Sequence, residues 1–321
     1  MLTLPPAQPP LSPGLPEALS MTFQKHGLRA TGNVALKTTF LLQIGFGTLA
    51  NITLFLYNVS PVLHGHKQRP THVVLTHMAL ANLLALLSSG IPHTMAAFLL
   101  TNPLSSLGCK VVYYTHRVAR RSTLCCTCVL STCQFFTLIP GRVEWMMLRR
   151  APKVTGPSCC FCWVFGALTS IYIPVNVTGA QNMGNYTEMQ SGWFCSSSIP
   201  RTGIGILSSC PDAVFIGLMV WASGSMLGLL RRHHQRVKHI HTPRGPHSCP
   251  PETRATHSIL MLVVTFVVFY MMNLVFTFHI TAFLDVQLWL IQTCNILALC
   301  FPTVSPFLLI LRDPRTPRFC T

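Results

Sequence analysis

Seven long, mostly apolar stretches follow one another along this chain, separated by short polar segments. A helix that crosses the hydrocarbon core of a bilayer needs about 20 such residues. Half of the 321 residues are apolar and only 9% are charged, whereas soluble domains carry about 25% charged residues. The pattern predicts an all-α membrane protein with seven transmembrane helices, at residues 38–63, 72–100, 110–139, 157–177, 204–230, 255–284 and 286–311.

The distribution of lysine and arginine predicts the orientation of these helices. With the N-terminus outside, the three inner loops and the C-terminal tail contain 15 of these residues, and the three outer loops contain Arg201 alone. Basic residues concentrate on the cytoplasmic side of membrane proteins. We therefore expect a multi-pass plasma membrane protein with its N-terminus outside. The clustering of basic residues between apolar runs also argues against a nucleic-acid partner and indicates contact with membrane lipid.

The two ends of the chain differ from the apolar region between them. Residues 1–35 are rich in proline and predict a disordered tail. This tail lacks the charged start and apolar core of a signal peptide, so the first helix is expected to direct its own insertion. The seven helices then occupy residues 36–311, and residues 312–321 form a short cytoplasmic tail.

The predicted outer side contains two kinds of modification site. Asn185 begins a glycosylation sequon in the second outer loop, and Asn176 begins another close to the membrane. A disulfide between Cys109, at the outer start of the third helix, and Cys195 would tie that loop across the bundle. Cys210 is an alternative partner, and two unpaired thiols are another interpretation. The cysteine clusters CCTC and CCFC lie within predicted helices, where packing explains them better than metal binding.

The third apolar stretch contains Arg117, Arg120 and Arg121, and each arginine at mid-bilayer costs about 2.5–3.5 kcal/mol. Helical spacing places the three arginines and Tyr113 on one side of the helix. The arginines lie at about the same depth in the membrane as Asp212 of the fifth helix. One interpretation is an ion-pair network that fixes helix packing. The other is a pocket open to the outside, where cations not neutralised by Asp212 bind an anionic or strongly hydrogen-bonding ligand. The candidate ligand-binding residues are Tyr113, Tyr114, Arg117, Arg120, Arg121, Asp212 and Phe98.

The third inner loop begins with the basic residues Arg231, Arg232, Arg236 and Lys238. They are either a docking surface for a cytosolic partner or positive charge held near anionic lipid. The four nearby histidines match no common zinc spacing, and the chain contains none of the common catalytic or phosphate-binding motifs. We therefore expect no enzyme activity, metal or cofactor.

Several segments in combination resemble the vomeronasal type-1 receptors, a family of pheromone receptors. They include GIPHTMAAF at 90–98, GCKVVYYTHRVAR at 108–120, PDAVFIGLMVWASGSM at 211–226 and CFPTVSPF at 300–307. The resemblance implies a rhodopsin-like seven-helix architecture that detects pheromone-like small molecules at its outer side. It also implies coupling to a heterotrimeric G protein of the inhibitory class, for which the basic third inner loop is the candidate contact.

Two alternatives to a signalling receptor come from the same residues. The arginines could line an anion pathway in a transporter or channel, but an odd number of helices and the lack of a visible inverted repeat weigh against this. Arg121 and the segment GRVEWMM depart from the family pattern, as does the long N-terminal tail. Such changes are also expected in a non-signalling remnant of a receptor.

Overall fold

A computed structural model describes residues 15–65, 70–99, 104–138, 142–179, 195–197, 201–239, 251–282 and 288–312. The chain divides into two compact units, Met1–Thr39 and Phe40–Thr321. The helices that pack against one another belong to the second unit. Asn185 lies outside the described residues. The side chains of Phe98, Arg236 and Lys238 also lie outside them, although the helices that contain these residues are described.

Seven long helices, one short helix and a two-stranded sheet make up the described elements. The short helix α5 follows α4 at the end of the predicted fourth span, and strand β1 pairs antiparallel with β2. The prediction of a seven-helix membrane protein is confirmed, and the small sheet is an addition to it. In chain order the elements are α1 Leu15–Leu63, α2 Pro70–Leu99, α3 Ser106–Leu138, α4 Arg142–Thr169, α5 Tyr172–Asn176, β1 Val177–Gly179, β2 Cys195–Ser197, α6 Arg201–His239, α7 Pro251–Ala282 and α8 Leu288–Arg312.

Helix α1 begins much earlier than the first predicted span. It is continuous from Leu15, so residues 15–35 are helical where the sequence predicts a disordered tail. The prolines responsible for that prediction end at Pro16, which occupies the first turn of the helix, where a missing N–H is tolerated. No further proline occurs before Pro61, so nothing in the sequence breaks the helix in between.

Helix α3 lies at the centre of the bundle, in contact with α2, α4, α5, α6, α7 and β1. The other six long helices each contain a stretch that is long and apolar enough to cross a membrane. The α3 arginines give that helix a lower mean hydropathy, but its neighbours shield it from lipid. This central position explains how the helix carries buried charge.

The outward faces of the helices are apolar. Large side chains such as Leu49, Phe161, Val175, Trp221 and Phe278 are exposed. On a soluble protein such surface would be an association site. Here it is the surface expected of a multi-pass membrane protein, since bilayer hydrocarbon surrounds the helices.

A buried polar network holds four of the helices together. The amide nitrogen of Asn82 in α2 donates to Oδ1 of Asn51 in α1 at 3.1 Å and to the hydroxyl of Ser305 in α8 at 3.0 Å. The hydroxyl of Thr123 in α3 donates to Oδ1 of Asn82 at 3.1 Å. Buried polar groups need such partners, so the network fixes these helices in one arrangement.

Helix α8 is interrupted by two prolines, and α1 compensates for the second. Pro306 has no N–H, so the carbonyl of Pro302 lacks the donor that a helix normally provides four residues later. The amide nitrogen of Asn51 donates to this carbonyl at 2.8 Å and to the carbonyl of Gly47 at 2.7 Å. Asn51 therefore replaces a missing backbone hydrogen bond of another helix.

Two disulfides connect the described elements. Cys109, at the start of α3, is bonded to Cys195 in β2, and their Cα atoms are 5.8 Å apart. We call this end of the bundle the outer end, because the charge distribution places it outside. The second disulfide joins Cys125 of α3 to Cys162 of α4, with Cα atoms 5.5 Å apart. The sequence analysis weighed packing against metal binding for the CCTC and CCFC cysteines and did not consider a disulfide between them.

Candidate ligand site

A cleft lies between α2, α3, α7 and α8, with an empty volume of about 430 Å³ that includes space open to the surroundings. Arg120 lines it from α3, eleven residues after Cys109. At 1.5 Å per residue, Arg120 is therefore about 16 Å below the outer disulfide. The cleft brings Arg120 together with aromatic side chains from α7 and α8 at this depth.

Arg120 makes its contacts in the cleft with uncharged groups. Its guanidinium carbon lies 5.5 Å from the centre of the Tyr270 ring, and its Nη2 donates to Oδ1 of Asn273 at 3.4 Å. Asn273 is held in turn by a bond from its amide nitrogen to the carbonyl of Cys294 at 2.8 Å. No carboxylate occurs among the described residues that line the cleft. The Arg120 guanidinium therefore faces the cleft without a direct contact to a carboxylate of the described residues.

The remaining cleft wall is mostly aromatic and apolar. The rings of Phe266 and Phe301 pack edge to face, with centroids 4.6 Å apart. His116 also lines the cleft, and its Nδ1 lies 3.3 Å from the carbonyl of Ala85. Aromatic and apolar walls of this kind can bury the apolar body of a ligand.

Arg121 occupies a different environment from Arg120. It is buried between helices, where its Nη1 donates to the hydroxyl of Ser170 at 3.2 Å and its Nε lies 3.7 Å from Oδ1 of Asp212. Asp212 is also buried, and its Oδ2 accepts a hydrogen bond of 3.1 Å from the hydroxyl of Tyr270. Neither Arg121 nor Asp212 is among the residues lining the cleft.

The two candidate tyrosines of α3 lie nearer the outer end. Tyr113 and Tyr114 are half-buried and pack against the apolar cluster below the outer disulfide, which includes Ile173 and Val177. The hydroxyl of Tyr114 donates to the carbonyl of Ala167 at 3.3 Å. Neither tyrosine lines the cleft. Both lie in α3 between Cys109 of the outer disulfide and Arg120.

Arg117 lies about one turn above Arg120 and is half-buried. It forms no ion pair with any residue that the structure describes, and it is not part of the cleft lining. Arg231 and Arg232 are exposed near the inner end of α6. At the outer end, the side chain of Asn176 donates to the carbonyl of Tyr172 at 2.7 Å, and its glycosylation stays a prediction.

Sequence reasoning missed most of the cleft lining. Tyr270 and Asn273 lie three residues apart, so they occupy one face of α7. The signal was present, because polar side chains in an otherwise apolar membrane helix usually face the bundle interior. The missed residues that matter for the site are His116, Phe266, Tyr270, Asn273 and Phe301.

The fold is that of a seven-helix membrane protein, the architecture of the receptors in the family that the chain matches. A family model described as the vomeronasal organ pheromone receptor family matches residues 34–321. The chain belongs to this vomeronasal type-1 receptor family, which is a family of receptors and not of enzymes.

Individual relatives agree with this assignment. The chain is 39% identical to vomeronasal type-1 receptor 4 from Homo sapiens over 285 residues, which is 87% of this chain and 95% of that protein. It is 38% identical to human vomeronasal type-1 receptor 1, covering 91% of this chain and 84% of that protein. Olfactory receptor class A-like protein 1 of Danio rerio is 32% identical, covering 85% of this chain and 87% of that protein.

Proposed function

We propose that this receptor detects a small, pheromone-like molecule at its outer side and activates a heterotrimeric G protein of the inhibitory class. The observation that carries the proposal is Arg120, a cation in an apolar cleft with neutral partners there. The receptor class follows from family membership, and the coupling class rests on the resemblance to that family.

The cleft favours a compact ligand with an apolar body and an anionic or strongly accepting group. A carboxylate or sulfate can bind the Arg120 guanidinium through two parallel hydrogen bonds. Phe266 and Phe301 then cover the apolar part of the molecule. The ligand activates the receptor by binding one helix arrangement more tightly than another, which shifts the population towards that arrangement.

The test is a cyclic-nucleotide reporter in cells that express the receptor at their surface. The probes are straight-chain and aromatic carboxylates, each compared with its neutral alcohol. We expect the carboxylates to lower cyclic AMP, with a response that pertussis toxin abolishes. Arg120→Gln should reduce the potency of the carboxylates by a factor of about 10 or more, which corresponds to about 1.4 kcal/mol of binding free energy.

Lys110→Gln is the matched control, because it removes a half-buried cation of the same helix outside the cleft. The carboxylates should have the same potency on Lys110→Gln as on the wild type when surface staining is equal. If Arg120→Gln and wild type respond equally, the ligand-site assignment is wrong. If all variants transport the carboxylates without a G-protein response, the anion-pathway alternative applies.

The basic start of the third inner loop is the proposed G-protein contact. Arg231 and Arg232 are exposed there, and Arg236 and Lys238 follow in the sequence. In discs of neutral lipid, Arg231→Gln with Arg232→Gln should slow nucleotide exchange on the purified G protein without changing probe potency. A loss of exchange only in discs of anionic lipid would instead assign these residues to the membrane surface.

A further inference from the structure

Tyr270 contacts both the cleft and the buried ion pair. Its ring lies under Arg120, with 5.5 Å between guanidinium carbon and ring centre, and its hydroxyl donates to Oδ2 of Asp212 at 3.1 Å. The other oxygen of Asp212 faces Arg121. We infer that Tyr270 is a positioning residue that couples occupancy of Arg120 to the Arg121–Asp212 pair. The ligand part of this inference rests on the proposed function.

The ion pair itself is left incomplete in this arrangement. The distance of 3.7 Å between Arg121 Nε and Asp212 Oδ1 is longer than the 2.7–2.9 Å of a typical charge-assisted hydrogen bond. Both of these atoms and Nη2 of Arg121 are buried without a hydrogen-bond partner among the described residues. A movement of about 1 Å would let the carboxylate close on the guanidinium. In the inferred second arrangement, Asp212 has left Tyr270 and closed on Arg121.

The choice between these arrangements involves several helices. Tyr270 belongs to α7, Asp212 to α6, and both arginines to α3. Ser170, just after α4, holds Arg121 from the other side through its hydroxyl at 3.2 Å, so the carboxylate is the partner that moves. Closing Asp212 on Arg121 draws α6 towards α3, and α6 continues to the exposed basic residues at its inner end.

A bound anion selects the second arrangement. The ring face of Tyr270 and the anion compete for the same guanidinium, and a carboxylate or sulfate is the stronger partner. Withdrawal of Arg120 from the ring removes the contact that holds Tyr270 in place. Its hydroxyl then releases Asp212, which closes on Arg121. Tyr270→Phe reproduces the released state, because it keeps the ring and removes the donor.

The experiment compares Tyr270→Phe in two backgrounds, the native chain and the Arg121→Leu/Asp212→Leu double variant. The receptor is purified in lipid discs, and thermal unfolding gives Tm. In the native background we expect Tyr270→Phe to lower Tm by up to about 3 °C, because closure of Asp212 on Arg121 offsets only part of the lost hydrogen bond to a charged group. In the double variant the same change should leave Tm nearly unaltered, because the acceptor is gone.

The control is Ser223→Ala, which removes a buried hydroxyl of α6 that has no hydrogen-bond partner among the described residues. Its Tm should not fall in either background. An equal decrease for Tyr270→Phe in both backgrounds overturns the link through Asp212.

A second readout separates positioning from a merely structural role and does not need the double variant to fold. Ligand-independent nucleotide exchange on the G protein should rise at least twofold in Tyr270→Phe and remain at the wild-type rate in Ser223→Ala. In a wild type that signals, an unchanged or lower rate in Tyr270→Phe overturns the inference. If the wild-type receptor never activates the G protein, the proposed function is wrong. The Tm comparison then still tests the link between Tyr270 and Asp212.

Discussion

Arg120 and Arg121 are consecutive in α3, yet Arg120 stacks 5.5 Å above the ring of Tyr270 while Arg121 lies 3.7 Å from Oδ1 of Asp212. Consecutive side chains of a helix point about 100° apart, so the two cations face different neighbours. The ion-pair interpretation therefore describes Arg121. The proposed ligand contact concerns Arg120.

Breaking the buried pair on one side should be far more harmful than removing it. Arg121→Leu or Asp212→Leu alone leaves an uncompensated buried charge and should lower the free energy of unfolding by about 3–5 kcal/mol. The double variant should recover most of that loss, since apolar residues replace the pair. Thermal unfolding in lipid discs measures all three. Single variants as stable as the wild type would mean that the pair contributes nothing.

Removal of Asn82 should loosen four helices at once. Asn82→Leu deprives Asn51, Thr123 and Ser305 of hydrogen-bond partners and should cost on the order of 2–4 kcal/mol of unfolding free energy. Ser131→Ala is the control, because this buried hydroxyl bonds the carbonyl of Thr127 within its own helix. Thermal unfolding should separate the two variants clearly, and equal Tm values would contradict the role of the network.

The outer disulfide should be needed for the receptor to reach the cell surface. It closes a sequence separation of 86 residues, and loss of a native disulfide typically costs about 2–5 kcal/mol. Cys109→Ser and Cys195→Ser should therefore reduce surface staining to a similar degree. Cys210→Ser removes an exposed free cysteine and should have no effect. A decrease with Cys210→Ser and not with Cys195→Ser would favour the alternative pairing.

Gly166 allows α4 to approach α3 closely. A Cβ atom at this position would lie 3.1 Å from the carbonyl oxygen of Val118 and 3.2 Å from the hydroxyl of Ser122. Gly166→Ala should cost about 1–3 kcal/mol of unfolding free energy, because the backbone of α3 cannot yield easily. Gly156→Ala on the same helix meets nothing within 4 Å and should leave Tm unchanged or slightly higher. The pair is compared by thermal unfolding, and equal changes would contradict the close approach.

The fold was largely predictable because crossing a membrane imposes strong constraints on sequence. The second span was expected at residues 72–100 and α2 occupies Pro70–Leu99; the seventh was expected at 286–311 and α8 occupies Leu288–Arg312. The pairing of β1 with β2 was not predicted, since three-residue strands leave no periodic signal.

The site was less predictable than the fold. Helical spacing groups Arg117, Arg120 and Arg121 on one side, but it does not say how that side is turned relative to neighbouring helices. The depth match of Asp212 to the arginines was informative, and the structure assigns its ion pair to Arg121. The sequence did not point to Tyr270, because the proposed role of this residue depends on contacts to two other helices that no local pattern encodes.

The hydrogen bond from Asn51 to the carbonyl of Pro302 should couple substitutions at two distant positions, 51 and 306. That carbonyl needs an outside donor because residue 306 is proline. A homologue with an ordinary residue at 306 restores its own backbone hydrogen bond, which leaves the bond with Asn82 as the remaining contact of the Asn51 side chain to another helix. Across the family, loss of asparagine at 51 should accordingly accompany loss of proline at 306, although 255 positions separate them in the chain.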